Sequence, residues 1–72
     1  MKYAVVIEQG ETSYGAYVPD LPGCVAVGET EAEVRQLIVE AIAFHLEGLR
    51  AEGGELPRPH SRVDYVEVAD AA

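Results

Sequence analysis

Residues 17–30, with the sequence YVPDLPGCVAVGET, constrain the fold of this chain more than any other stretch. Val18 precedes Pro19 and is therefore biased toward extended backbone. The pair Pro22-Gly23 suits the two central positions of a type II turn, because proline sets φ at the first position and glycine accepts a positive φ at the second. The pattern predicts the end of one strand, a rigid turn and a second, short strand.

The helix that follows has a predicted start and a predicted end. Thr30 offers a side-chain oxygen to the first helical turn, and Glu33, three residues later, completes a capping box. Gly53-Gly54 is typical of a helix C-terminus. The helix is therefore predicted over residues 31–52.

Four strands are predicted around this helix, and together they indicate a single α+β domain over residues 1–72. The predicted strands are residues 2–8, 13–18, 24–28 and 63–68. The helix connects the third strand to the fourth, and a right-handed connection places it over one face of the sheet. The first strand is apolar on both faces in its middle, so we expect it at the centre of a β-β-β-α-β sheet with strand order 3-2-1-4.

The helix has one apolar stripe, and a single helix covers only one face of a sheet. The stripe recurs at spacings of three and four residues and contains Val34, Leu37, Ile38, Ala41, Ile42, His45 and Leu49. The other sheet face is expected to expose apolar side chains, and contiguous apolar patches usually mark an interface. We therefore expect a homodimer or a higher homo-oligomer.

Charge narrows the classes of partner. Thirteen acidic and five basic residues give a formal net charge of −8, which opposes unaided binding to a phosphate backbone. The same charge favours encounter with a basic partner, although solubility alone explains it equally well. We predict no signal peptide, and no apolar run approaches the roughly 20 residues of a spanning helix. A cytoplasmic location is therefore expected.

Candidate catalytic residues are few and scattered. A nucleophile–base pair of Cys24 and His45 is conceivable, but neither residue is followed by a third orienting group or a glycine-rich oxyanion segment. Cys24 and His45 are therefore interpreted as structural or interface residues, and His60 as a solvated loop residue. One cysteine and two distant histidines lack the spacing of a zinc site, so no metal or cofactor is predicted.

The acidic residues do not indicate an enzyme either. The β-β-β-α-β order matches half of a ribonuclease H-like fold, whose enzymes hold two metal ions on converging carboxylates. Here Glu8 lies only at a strand end and Asp20 lies in a turn. Glu31 and Glu33 are explained by the positive end of the helix dipole and by capping. The chain is predicted to be non-catalytic.

Two segments resemble the signature of HicB-like antitoxins. They are residues 14–30, YGAYVPDLPGCVAVGET, and residues 40–49, EAIAFHLEGL, the latter followed by GGELP at 53–57. The segments cover well over half of the chain in the expected order. The resemblance implies the family's N-terminal domain, a degraded ribonuclease H-like fold without nuclease activity. It also implies a partner, the small basic toxin HicA, which cleaves messenger RNA and whose catalytic surface the antitoxin masks.

The resemblance does not fix which residues contact the toxin, so the expected partner surface is our own prediction, and one alternative function stays open. The acidic surface and the turn are expected to contact the toxin, and the turn residues are Tyr17, Pro19, Asp20, Leu21, Pro22 and Gly23. Many family members carry a C-terminal DNA-binding domain; this sequence ends at Ala72 without one, so direct DNA binding is not expected. The alternative is a solitary homo-oligomeric scaffold, or a small-ligand-binding module, with no toxin partner.

Overall fold

The computed structural model describes residues 1–70 and shows a three-stranded antiparallel sheet with one helix. Strand β1 spans Val6–Gln9, β2 spans Tyr14–Tyr17 and β3 spans Val25–Gly28, and helix α1 spans Glu31–Ala51. The strand order is β1-β2-β3. The predicted α+β class, the first three strands and the helix are therefore confirmed, although β1 begins at Val6 rather than at residue 2.

The pairing register sorts the strand residues onto two faces of the sheet. One cross-strand row consists of Ile7, Ala16 and Ala26, which pack on the helix side. The neighbouring row consists of Val6, Tyr17 and Val25. Because successive residues of a strand point to opposite faces, this second row lies on the outer face. Tyr17 and Val25 are both exposed there.

The core lies between the helix and the end of the sheet at which β2 leaves and β3 enters. Its buried hydrophobic residues are Ala16, Val18, Leu21, Cys24, Val34 and Ile38. Leu21 and Val34 are completely buried. Since Leu21 belongs to the connection between β2 and β3, that connection is part of the core rather than a surface loop.

The connection between β2 and β3 has the predicted turn geometry. The amide of Cys24 donates to the carbonyl oxygen of Leu21 at 3.0 Å, and Gly23 has a φ of +85°. These are the hydrogen bond and the positive φ of a type II turn over residues 21–24. The amide of Leu21 in turn donates to the carbonyl of Val18 at 3.1 Å, so the chain reverses twice in quick succession.

Both helix ends are capped by local side-chain and backbone chemistry. The Glu33 amide donates to Thr30 Oγ1 at 3.0 Å, and Glu33 Oε1 accepts from the amide of Glu29 at 2.9 Å. At the other end Gly53 has a φ of +77°, its amide donates to the Arg50 carbonyl, and the Gly54 amide donates to the Leu49 carbonyl. This is the Schellman arrangement, which satisfies two of the carbonyls that a helix end leaves unpaired.

The apolar stripe of α1 is present and slightly wider than predicted. Val34 and Ile38 are buried, and the remaining predicted members are half-buried: Leu37, Ala41, Ile42, His45 and Leu49. Leu46 also packs against the core, although the predicted stripe omits it. The helix is capped and amphipathic as expected, and it places its N-terminal half over the core.

The fourth strand predicted at residues 63–68 is not formed within one copy of the chain. Among residues 1–70, β1 pairs with β2 alone, so β1 is an edge strand here; the 3-2-1 part of the predicted order 3-2-1-4 is present, and its fourth strand is not shown. Residues 62–70, which we call the C-terminal arm, are exposed and lie outside the sheet. The alternation in this segment indicates strand propensity, but a strand forms only when the segment pairs with a neighbouring strand. The partial ribonuclease H-like topology is therefore not shown.

Candidate partner-binding site

The six residues predicted to contact a partner fall into two groups. Tyr17, Pro19, Pro22 and Gly23 are exposed, whereas Asp20 and Leu21 are buried. The exposed members form a rigid apolar rim, because two prolines and the type II turn fix its backbone. The two buried side chains hold this rim in place from beneath and do not themselves reach the surface.

Asp20 is the centre of the polar network at this end of the sheet. Its Oδ2 accepts hydrogen bonds from the amides of His60 at 2.8 Å and Ser61 at 2.9 Å. Its Oδ1 accepts from Ser61 Oγ at 2.6 Å and lies 3.1 Å from His60 Nδ1. One carboxylate therefore attaches the segment that follows the helix to the turn between β2 and β3.

This network lowers the pKa of Asp20 to about 2. The hydrogen bond from the Ser61 hydroxyl is the largest cause, followed by that from the Ser61 amide. The His60 amide and the His60 ring add smaller effects in the same direction, while desolvation acts in the opposite one. Hydrogen bonds to the charged form favour ionisation, so the carboxylate is ionised throughout the physiological range.

The grouping of Asp20, His60 and Ser61 does not have the arrangement of a catalytic triad. In such a triad the serine hydroxyl donates to the histidine, and the carboxylate orients that histidine. Here the Ser61 hydroxyl donates to Asp20 instead, and the His60 side chain is 77% exposed. The geometry is that of a structural attachment, in which a carboxylate satisfies two backbone amides and a hydroxyl.

A second contact holds the same segment against the start of the sheet. The Tyr3 hydroxyl donates to the carbonyl oxygen of Pro57, and Tyr3 packs against the core. Residues 57–61 therefore cross the end of the sheet where β1 begins and β2 ends. Sequence reasoning missed both contacts, since they join residues 40 or more positions apart. The sequence carries no local signal for either contact.

Cys24 and His45, predicted to be structural or interface residues, occupy different environments. Cys24 is a free thiol within the buried core, where desolvation raises its pKa. Because the thiolate is the nucleophilic form, burial makes this cysteine less reactive. His45 is half-buried on the C-terminal half of α1, in a shallow depression shared with Phe44, Gly48 and Leu49. Phe44 is 80% exposed, and its residue type and position in the sequence had predicted no role for it.

The exposed surface of the helix carries more carboxylates than cations, the latter being Arg35 and Arg50. The exposed carboxylates along α1 and at its C-cap are Glu31, Glu33, Glu40, Glu47 and Glu52. No cluster of three or more histidine, cysteine or carboxylate side chains suited to a metal ion occurs among residues 1–70. No helix in this described part of the chain combines the length and apolar character needed to cross a membrane.

Comparison with known proteins yields several similar chains. A UPF0150 protein of Helicobacter pylori is 40% identical over 67 residues, which is 92% of this chain and 93% of that protein. An uncharacterized 14.9 kDa protein of Haemophilus phage HP1 is 38% identical over 66 residues. That match spans 92% of this chain but only 50% of the phage protein, so this chain covers half the length of that relative.

Among solved structures, a chain of the "HicA3 and HicB3 toxin-antitoxin complex" has a similar fold. It superposes with a TM-score of 0.69 and 35% sequence identity, and the match covers 82% of this chain and 70% of that chain. The fold and the site thus define a small acidic α+β domain that presents a rigid proline-rich turn. The family model for the HicB-like antitoxin of bacterial toxin–antitoxin systems matches residues 3–71, and the chain belongs to this family.

Proposed function

We propose that this chain is a non-catalytic antitoxin that neutralises a small, basic, HicA-like toxin by masking the surface with which the toxin cleaves messenger RNA. The observation that carries the proposal is the structural match, at 35% identity, to a chain of a HicA3–HicB3 complex. Family membership over residues 3–71 supports the same role. The proposal places the chain in the cytoplasm, where such a toxin meets its RNA.

Charge supports the choice of a basic partner. The chain carries a formal net charge of −8, and exposed carboxylates are distributed along α1. Opposite charges on two partners raise the rate of encounter more than they raise the final affinity. The association rate with the toxin is therefore expected to fall as the salt concentration rises, while the dissociation rate changes less.

The contact surface that we propose is centred on the rigid rim of the turn. Tyr17, Pro19, Pro22 and Gly23 are exposed and adjacent, and the backbone around them is fixed before binding. A pre-organised surface loses little conformational entropy when it binds. Aromatic side chains such as Tyr17 are also common among the residues that dominate binding energy.

Co-expression with a HicA-like toxin tests the proposal. The wild-type chain is expected to restore growth and to elute with the toxin in size-exclusion chromatography. Tyr17→Ala is expected to weaken the complex by about tenfold or more, corresponding to roughly 1.4 kcal/mol or above. Phe44→Ala is the matched control, since it removes an exposed aromatic ring from the C-terminal half of α1.

The outcomes separate the two functional hypotheses. If the wild-type chain neither restores growth nor forms a complex with HicA-like toxins, the antitoxin role is refuted and the solitary scaffold or ligand-binding module remains. If Phe44→Ala weakens the complex and Tyr17→Ala does not, the toxin-binding surface lies on the helix instead. Metal-dependent RNA cleavage by the purified chain, lost in Glu8→Gln, would contradict the non-catalytic part of the proposal.

A further inference from the structure

The C-terminal arm exposes apolar side chains that no other part of residues 1–70 in the same copy of the chain covers. Four of its residues are exposed large hydrophobic side chains: Val63, Tyr65, Val66 and Val68. The chain has a radius of gyration of 14.6 Å and principal extents of 53 × 27 × 16 Å. A compact domain of this length has a radius of gyration of about 11 Å, so the chain is far more elongated than a closed domain.

A complementary site exists at the edge of the sheet. β1 has β2 as its sole strand neighbour among residues 1–70, so the backbone groups of its other edge are available for pairing. The helix packs mainly over β3 and β2 and only lightly over β1. This leaves a groove of about 130 Å³ between β1 and α1, lined by Val5, Ile7, Arg35, Ile38 and Val39. We call it the β1 groove.

The arm and the β1 groove match in chemistry. In an extended arm, Asp64, Val66 and Val68 share one face while Val63, Tyr65 and Glu67 share the other, so each face carries two apolar side chains and one carboxylate. The groove is apolar at its floor and carries one exposed cation, Arg35, at its rim. A strand placed beside β1 would pair with its free edge and cover the aliphatic floor, and it would bring a carboxylate near Arg35.

The arm is poorly placed to reach the β1 groove of its own chain. Asp20 holds His60 and Ser61 at the end of the sheet, and the arm that follows is exposed and lies outside the sheet. Returning to β1 would require a tight reversal just after Ser61. Of the residue types that favour turns, residues 61–68 contain only Ser61, whose amide and hydroxyl are bound to Asp20, and Asp64.

We propose that two copies of this chain exchange their C-terminal arms, with residues 62–68 of each copy pairing with β1 of the other and covering its β1 groove. The exchange is reciprocal, so it closes as a twofold dimer with two equivalent contacts. Addition of a strand to a free sheet edge is a recurrent mode of association. The interface differs from the outer sheet face expected from the sequence, and the proposal does not depend on toxin binding.

Analytical ultracentrifugation of three full-length proteins tests the exchange. Wild type is expected to sediment at twice the monomer mass at micromolar concentration. Val66→Asp with Val68→Asp is expected to sediment as a monomer. Val25→Asp with Val27→Asp, the matched control, places the same charges on exposed valines of the outer face and is expected to remain a dimer.

A second measurement distinguishes exchange from folding back within one chain. Equal amounts of ¹³C-labelled and unlabelled protein are unfolded and refolded together, and isotope-filtered NOEs are recorded. Contacts between valine methyls of the arm in one copy and Ile7 or Val39 methyls in the other are expected. A monomeric wild type, or arm contacts found only within one copy, would overturn the proposal; so would a dimer that is lost in the outer-face variant alone.

Discussion

Gly28→Ala probes how closely α1 packs on the sheet. Gly28 ends β3 and is buried under the first turn of the helix. A Cβ at this position would lie 2.9 Å from the Val34 amide nitrogen and 3.1 Å from both Val34 Cα and Glu33 Oε1. Two of these three atoms are backbone, so the helix itself has to move.

The expected loss of stability follows from opposing contributions. Overpacking a tight interface costs about 1–3 kcal/mol. Displacing the Glu33 carboxylate also weakens its hydrogen bond to the Glu29 amide, at about 0.5–1 kcal/mol. Alanine restricts the unfolded chain more than glycine does, and this effect stabilises the folded state by about 0.4–1 kcal/mol. The net expectation is a destabilisation of about 2 kcal/mol, a large part of the roughly 3–5 kcal/mol that so small a core provides.

Urea unfolding followed by circular dichroism measures this loss, with Gly48→Ala as the matched control. Gly48 lies in the same helix, and a Cβ there meets no atom within 4 Å. Because glycine is a poor helix former, Gly48→Ala is expected to stabilise the chain by about 0.5–1 kcal/mol. A Gly28→Ala variant as stable as wild type would refute the inferred close contact between β3 and α1.

Three further predictions concern the turn and the core. Leu21 is completely buried, so Leu21→Ala is expected to cost about 2–5 kcal/mol in urea unfolding; a loss below 1 kcal/mol would show that the turn is not part of the core. The Asp20 pKa of about 2 lies below its ordinary value of 3.8, so its contribution to stability is complete well above pH 4 and is lost as the pH falls toward 2. The Ser61 amide shift should therefore titrate near pH 2 in NMR spectra and stay flat in Asp20→Asn, whereas a midpoint near 4 would contradict the network. Cys24 is buried with a raised pKa, so a thiol reagent should react slowly with the folded chain and rapidly in urea; equally fast reaction in both would contradict its burial.

Features fixed by neighbouring residues could be predicted from the sequence. The Pro22-Gly23 turn, the Thr30 cap and the Gly53 terminus each depend on contacts within about four residues, and each is present in the structure. The helix stripe could be predicted for the same reason, since its periodicity reflects one local geometry. Leu46 was not predicted to belong to the stripe, because the apolar face of the helix is broader than the narrow stripe inferred from the sequence.

Features that depend on distant residues could not be predicted in the same way. The sequence of residues 63–68 has strand propensity. It does not specify the sheet edge with which the segment pairs, or whether that edge belongs to the same copy of the chain. Asp20 was expected to face a partner, whereas it binds the backbone of residues 60 and 61. Its position in a proline-flanked turn is equally compatible with exposure and with burial, and the burial follows from residues 40 positions away.

The central claim is that this chain inactivates a HicA-like toxin by direct binding. The most direct test is messenger RNA cleavage by the purified toxin, measured while the antitoxin chain is added in increasing amounts. The account predicts that cleavage falls to zero as the two proteins approach a fixed stoichiometric ratio, and that Tyr17→Ala requires a higher concentration for the same effect. Undiminished cleavage at a large excess of the wild-type chain would contradict the account.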